Sequence, residues 1–191
     1  LGGYCFVNNA AVAAQGFRDS GAQRVVVLDV DYHHGNGTQS IFYERSDVMF
    51  VSIHGDPRTE YPFFLGHANE IGNGEGVGYN KNYPLPAGSS NALWFDALGD
   101  AVRRINEYRA DALVISLGVD TSESDPVSNF KLKTADYLPM SAAIAALKLP
   151  TLFVMVRGGW RATFSDLIPW SIFAVALAHL VLMYTVFSVY G

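Results

Sequence analysis

Leu28-Asp29-Val30-Asp31-Tyr32-His33-His34-Gly35-Asn36-Gly37 follows directly on the apolar run Val25-Val26-Val27. Two carboxylates and two imidazoles thus crowd the end of a strand that is apolar throughout. Burying so much polarity is costly unless the groups are paired or bind a metal. A further carboxylate, Asp120, comes shortly after a second apolar run, Ala112-Leu113-Val114-Ile115-Ser116-Leu117. Strand ends that carry carboxylates and imidazole predict a metal site on an α/β sheet, where ligands bind beyond the carboxyl ends of the strands.

Outward from that stretch, strands and helices alternate. Asn8 and Asn9 are N-cap residues for a helix over Ala10 to Ser20, and Gly21 suits its end. Arg24 to Val30 and Val48 to Ile53 read as strands covered on both faces. Thr38 to Glu44 reads as a short helix. Residues 55–78 are Gly-rich with few aliphatics and read as a long surface loop. Tyr79 to Leu85 carries a weaker strand pattern. Ser89-Ser90-Asn91 caps a helix to about Tyr108, Ala112 to Leu117 is a strand, Asp136 to Leu147 a helix, and Pro150 to Met155 a strand. This alternation predicts a parallel, doubly wound sheet with helices on both faces.

The 191 residues are 50% hydrophobic and 16% charged, enough for one domain with a real core. A formal net charge of −5 gives a nucleic-acid partner no electrostatic support. The single cysteine, Cys5, excludes an internal disulfide and fits a reducing, cytoplasmic setting. After Asp166 no Asp, Glu, Lys or Arg occurs. Residues 167–190 are long and apolar enough to span a bilayer; the alternatives are a buried helix or a tail foreign to the domain.

Asp31 and His33 lie two apart, so in extended geometry they point to one side. With Asp120 from a neighbouring strand end they make three ligands, the number that leaves a catalytic zinc an open position. The mixed oxygen and nitrogen set also suits Fe(II), Co(II) or Mn(II). His34 reads as a structural hydrogen-bonding group and His54 as a residue following its strand and packed below the site. Asp125 and Pro126 close the Asp120 loop. Glu70 and Glu75 read as solvated loop charge, the alternative being attraction of a cationic substrate.

Three stretches, Gly2-Gly3-Tyr4-Cys5-Phe6-Val7-Asn8-Asn9, Leu28 to Gln39, and Ser116-Leu117-Gly118-Val119-Asp120-Thr121, resemble the zinc-dependent deacetylase superfamily. Ser52-Ile53-His54-Gly55-Asp56-Pro57 and Tyr61-Pro62-Phe63-Phe64-Leu65-Gly66-His67 favour its acetylpolyamine amidohydrolase branch, beside class II histone deacetylases. The resemblance implies the arginase-deacetylase α/β fold and removal of acetyl groups from acetylated polyamines or acetyl-lysine. It implies zinc on Asp31, His33 and Asp120, and structural potassium on Asp29 and Ser52 with backbone oxygens of Asp31, His33 and Ile53. A second monovalent site would lie near Phe42, Arg45 and Val48, with Tyr79 beside it. Asp29 and Asn36 match positions that support catalytic histidines, and Gly3, Tyr4, Tyr61 and Phe63 match the substrate channel. It also allows a homodimer.

Two departures shape the expectation. The superfamily's catalytic His-His pair precedes the Gly-Gly-Tyr-Cys motif, upstream of Leu1. Its oxyanion-donating tyrosine is matched by Trp160, in Val156-Arg157-Gly158-Gly159-Trp160. The expectation is a partial catalytic domain over residues 1–155, incomplete at both ends and inactive by itself. An atypical tail over 156–191, from a frameshift or gene-boundary error, would follow. The competing reading is a non-catalytic module that binds metal or acetylated amine. An arginase-type dinuclear manganese site is disfavoured, because Thr121-Ser122-Glu123-Ser124-Asp125 lacks the extra strand-end Asp.

Overall fold

Val25, Val26, Val27 and Leu28 are all fully buried, as a strand covered on both faces requires. They form β1 (Val25–Asp29) at the centre of a five-stranded parallel sheet, described here from a computed structural model over residues 6–155. The sheet order is β3-β2-β1-β4-β5, with β2 Val48–Gly55, β3 Asn80–Leu85, β4 Ala112–Leu117 and β5 Thr151–Met155. The chain runs from β1 outward through β2 to β3, then crosses to the other side of β1 for β4 and β5. That reversal makes the sheet doubly wound, as expected, and places its switch point between β1 and β4.

Alternate side chains feed two cores. On one face Val25, Val27, Val48, Phe50, Ala112 and Val114 meet Ala10, Ala11 and Ala14 of α1 (Asn9–Asp19) and Phe42 of α2 (Asn36–Phe42). The alanines let α1 lie close against the strands. On the other face Val26, Leu28, Met49, Val51, Leu113 and Ile115 pack against α3 (Asn91–Tyr108) and α4 (Tyr137–Ala145) through Trp94, Leu98, Ala101, Ile105, Met140 and Ile144.

The caps follow the sequence. Asn8 Oδ1 accepts from the Ala11 N–H at 2.9 Å, and Ser90 caps α3. Asn8 Nδ2 also donates to Thr38 Oγ1 at 3.0 Å, tying α1 to α2. Asn8→Ala should therefore cost about 1–2 kcal/mol, read as a lower urea midpoint with unchanged slope.

Three expectations need correction. β2 extends to Gly55, so His54 lies within the strand. α2 begins at Asn36 because Gly35 serves as its N-cap, and it ends at Phe42. The segment between β2 and β3 is not simply surface. Asp56, Pro62, Gly66 and Gly76 are buried in it, and Gly74–Gly76 forms a 3-10 turn.

Candidate functional site

The register sets one polar row across the sheet. Asp29 stands beside Ser52 of β2 and Ser116 of β4, and Ser52 stands beside Asn82 of β3. Below this row the same face is apolar on β2, β1 and β4, where Phe50, Val27 and Val114 follow, while β3 adds the buried amide of Asn80.

β1 stops at Asp29; the Val30 N–H still donates to the Ser116 carbonyl at 3.0 Å, but the N–H groups of Asp31, Tyr32 and His33 are taken by side-chain carboxylates. The Asp31 N–H donates to Asp29 Oδ1 at 3.1 Å, and the His33 N–H donates to Asp31 Oδ1 at 2.7 Å. The extended Asp31–His33 geometry expected from sequence is therefore replaced by two successive carboxylate-stabilised bends, the local bonding that Asp favours. From the β4 side, Asp120 Oδ1 accepts from the Tyr32 N–H at 2.9 Å. Its other oxygen, Oδ2, lies 2.9 Å from His33 Nδ1, and Asp31 Oδ1 lies 3.4 Å from that nitrogen.

Asp31, His33 and Asp120 thus bring ligand atoms within 4.8 Å of one another, and the two carboxylates are buried. A Cβ on Gly118 would collide with Asp31 Oδ2 and reach 2.8 Å from Asp120 Oδ1, so only glycine leaves this space open. Two buried carboxylates and one imidazole form a donor set that fits a divalent cation.

The electrostatics match. Burial pulls the His33 imidazole down, but its hydrogen bonds to Asp120 and Asp31 and their charges outweigh this and push it up to about 10. Burial, with the Asp120 charge adding to it, pushes Asp31 up to about 6 against its bonds to His33. Burial and the Asp31 charge push Asp29 well above the usual carboxylate range. The cluster holds excess negative charge that a proton or a metal would neutralise.

Asp29, Asp31 and His33 line a cleft of about 310 Å³ together with Asn36, Tyr61 and Ser116, with Asp120 buried behind them. The Tyr61 ring faces His33 edge-on, with centroids 6.3 Å apart, and Phe63 lies 6.4 Å beyond Tyr61. Asp29 and Ser52 are neighbours in register, with Ile53 next along β2. Phe42, Arg45 and Val48 lie at the α2–β2 connection, where the Arg45 N–H donates to the Phe42 carbonyl at 3.0 Å, and Tyr79 precedes β3. Gly3, Tyr4, Cys5, Trp160 and the apolar run 167–190 lie outside the described residues. Among the described residues no helix is long and apolar enough to cross a membrane.

His34 and His54 are buried, structural rings. His34 Nε2 faces Gln39 Oε1 at 3.0 Å, and burial holds it down at about 4. His54 Nε2 faces the Gly66 carbonyl at 2.9 Å and its Nδ1 faces Ser52 Oγ at 2.8 Å. The carbonyl can only accept, so His54 donates through Nε2 and the Ser52 hydroxyl donates to Nδ1. That leaves the Ser52 lone pairs free on the Asp29 side. Asp125 Oδ1 accepts from the Val127 N–H at 2.9 Å, bracing the loop after Asp120.

Sequence reasoning missed Glu70. Instead of lying in solvent, its Oε2 accepts from the Gly66 N–H at 2.8 Å and from Gln39 Nε2 at 2.6 Å. Gln39, Asn80 and Asn82, which complete this network, are buried and were not singled out either.

The family model described as the histone deacetylase domain matches residues 1–173. The chain is 65% identical over 158 residues to acetylpolyamine amidohydrolase 2 of Pseudomonas aeruginosa, covering 83% of this chain and 46% of that protein. It is 55% identical over 158 residues to acetylpolyamine amidohydrolase of Mycoplana ramosa, with the same coverage. The crystal structure of acetylpolyamine aminohydrolase from Burkholderia pseudomallei superposes with a TM-score of 0.79 at 48% identity, over 82% of this chain and 45% of that one. The chain therefore spans about half the length of the curated relatives it matches. Doubly wound sheet, ordered motifs and family match agree: the chain belongs to the histone deacetylase domain family, with its arginase-deacetylase α/β fold.

Proposed function

We propose that the chain is part of a zinc-dependent amidohydrolase that removes acetyl groups from acetylated polyamines, or from acetyl-lysine, and that these 191 residues by themselves turn over little or nothing. The observation that carries this reading is the convergence of Asp31, His33 and Asp120 at the switch point, opening on a cleft flanked by Tyr61. The relatives' names point to the same substrate class.

Asp31, His33 and Asp120 would hold the zinc, with Fe(II) or Co(II) as chemical alternatives. When bound, zinc polarises a carbonyl and acidifies water, the chemistry amide hydrolysis requires. The protein groups set the conditions for it. Asp120 anchors the ligand turn through Tyr32 N–H, and the Asp29 carboxylate fixes the Asp31 backbone. Asp29 is buried with no cationic side chain bonded to it among the described residues, and Ser52 offers lone pairs beside it. This pair fits a monovalent cation, the potassium site of the resemblance, which would offset the charge of Asp29. Tyr61 and Phe63 present aromatic edges along the path of an apolar methylene chain, and Gly3 and Tyr4 would complete that wall. Asn36 lines the cleft, and on the resemblance its side chain would support a catalytic histidine.

One sequence observation favours a second reading. Trp160 stands where the resemblance has tyrosine, and an indole N–H is a donor of different reach. On that reading the protein binds acetylated amines without turnover. Acetate release from N8-acetylspermidine by the zinc-loaded full-length protein decides between them. Zinc-dependent release establishes the hydrolase, and tight binding without release establishes the module.

Metal uptake must displace the His33 proton. Because His33 is pushed up to about 10 and Asp31 to about 6, the metal-free site carries one extra proton between those values and more below 6. Zinc affinity should rise about tenfold per pH unit from pH 6 to 8, and more steeply below 6. Competition titrations with a chelating dye at fixed ionic strength read this slope. A pH-independent affinity would contradict the site.

The same domain reading places residues 1–155 in the catalytic domain, with 156–191 as a separate tail. It also takes a cytoplasmic setting, allows a homodimer and has no nucleic-acid partner, with membrane contact by residues 167–190 as the weaker alternative.

A further inference from the structure

The segment that carries Tyr61 and Phe63 needs something to hold it. Phe63 is 62% exposed and has φ +69°, a left-handed backbone that a bulky side chain adopts only where its surroundings impose it. At its start the Phe63 N–H donates to the Glu60 carbonyl at 3.0 Å, and Glu60 Oε1 accepts from Asn129 Nδ2 at 3.0 Å. At its far end both backbone groups of Gly66 are taken by side chains. Its N–H donates to Glu70 Oε2 and its carbonyl accepts from His54 Nε2. Gly66 has φ +110°, and a Cβ there would reach 2.8 Å from His54 Nε2 and 2.9 Å from His34 Cγ. The segment is thus pressed onto two buried imidazoles.

Glu70 ties this segment to the metal-ligand turn. The oxygen that holds Gly66 also accepts from Gln39 Nε2, while Gln39 Oε1 accepts from Asn80 and Asn82 and faces His34 Nε2. His34 adjoins His33, one of the three converging ligands. One carboxylate oxygen therefore joins the aromatic segment, α2, β3 and the turn after β1.

We propose that Glu70, through Gly66 and Gln39, is the positioning residue that holds the Tyr61–Gly66 aromatic segment against the metal cleft and so sets affinity for the acetylated amine. The inference rests on the substrate class proposed above. Glu70 is not among the three converging ligands and does not line the cleft, so its effect should appear in substrate affinity and segment order, not in zinc binding.

The test compares Glu70→Ala and Glu70→Gln in the zinc-loaded full chain. Amide hydrogen exchange is followed across residues 61–66, together with calorimetric affinity for N-acetylputrescine and zinc affinity by competition. Glu70→Ala should speed exchange in the segment and weaken N-acetylputrescine binding, each about tenfold, with zinc affinity unchanged. Glu70→Gln keeps an oxygen for the Gly66 N–H and should stay close to wild type in both. Unchanged exchange in Glu70→Ala overturns the proposal. So does a loosened segment that binds N-acetylputrescine as wild type does, or a Glu70→Gln as impaired as Glu70→Ala. A wild-type chain that takes zinc but no N-acetylputrescine overturns the substrate reading, while the exchange data still decide whether Glu70 holds the segment.

Discussion

Asp120→Ala should lower zinc affinity by about 10²–10³-fold. Structural zinc sites contribute about 10–16 kcal/mol over four ligands, or about 2.5–4 kcal/mol each, and 1.4 kcal/mol is a factor of ten. Asp120 also receives the Tyr32 N–H and faces His33 Nδ1. Its removal therefore lets the ligand turn relax and takes away a charge that holds the His33 proton. The His33 imidazole, which the Asp120 and Asp31 carboxylates push up in the intact site, should then titrate lower than in wild type, seen in its ring proton shifts. Asp120→Asn separates the two roles. It keeps an oxygen for Tyr32 N–H and should unfold close to wild type, yet it lacks the charge and should bind zinc poorly. Retained zinc affinity in Asp120→Ala would remove Asp120 from the site.

Trp94→Ala should destabilise the chain by about 3–5 kcal/mol. Trp94 is 1% exposed on α3, within the core between that helix and the sheet, and meets Phe95 edge-on at 5.3 Å. Nothing around it can refill an indole-sized void without moving α3 off the sheet. Against a typical total of about 5–15 kcal/mol, the loss is a large share of stability. Trp94 Nε1 is buried without a hydrogen-bond partner in the described residues. Trp94→Phe fills much of the volume and removes that unpaired donor, so it should cost markedly less. Urea unfolding reads both variants, and equal losses would mean that volume is not what Trp94 supplies.

The strands were legible in the sequence because a parallel sheet buries both faces of its centre. Val25 to Leu28, Val48 to Val51 and Ala112 to Ile115 are continuous apolar runs for that reason. Asn8 and Ser90 were legible because capping is local, acting within three residues. The Asp31, His33 and Asp120 set was legible as residue types at strand ends, but its geometry was not. Alternation along a strand was expected, whereas side-chain carboxylates take the Asp31 and His33 N–H groups and bend the chain. The Asp29–Ser52–Ser116 row depends on register, which no single segment encodes. Glu70 was illegible for the same reason. Its partners Gln39 and Asn82 are 31 and 12 residues away, in α2 and β3, and a Gly-rich loop has no period that announces an inward-turned carboxylate.

X-ray absorption on the zinc-loaded chain tests the central claim most directly, namely that Asp31, His33 and Asp120 hold one metal at the switch point. The predicted spectrum shows one zinc per chain with oxygen and nitrogen neighbours at about 2.0–2.2 Å, lost in Asp120→Ala. A sulfur neighbour at about 2.3 Å would place the metal on Cys5 instead, and a chain that retains no zinc would contradict the account outright.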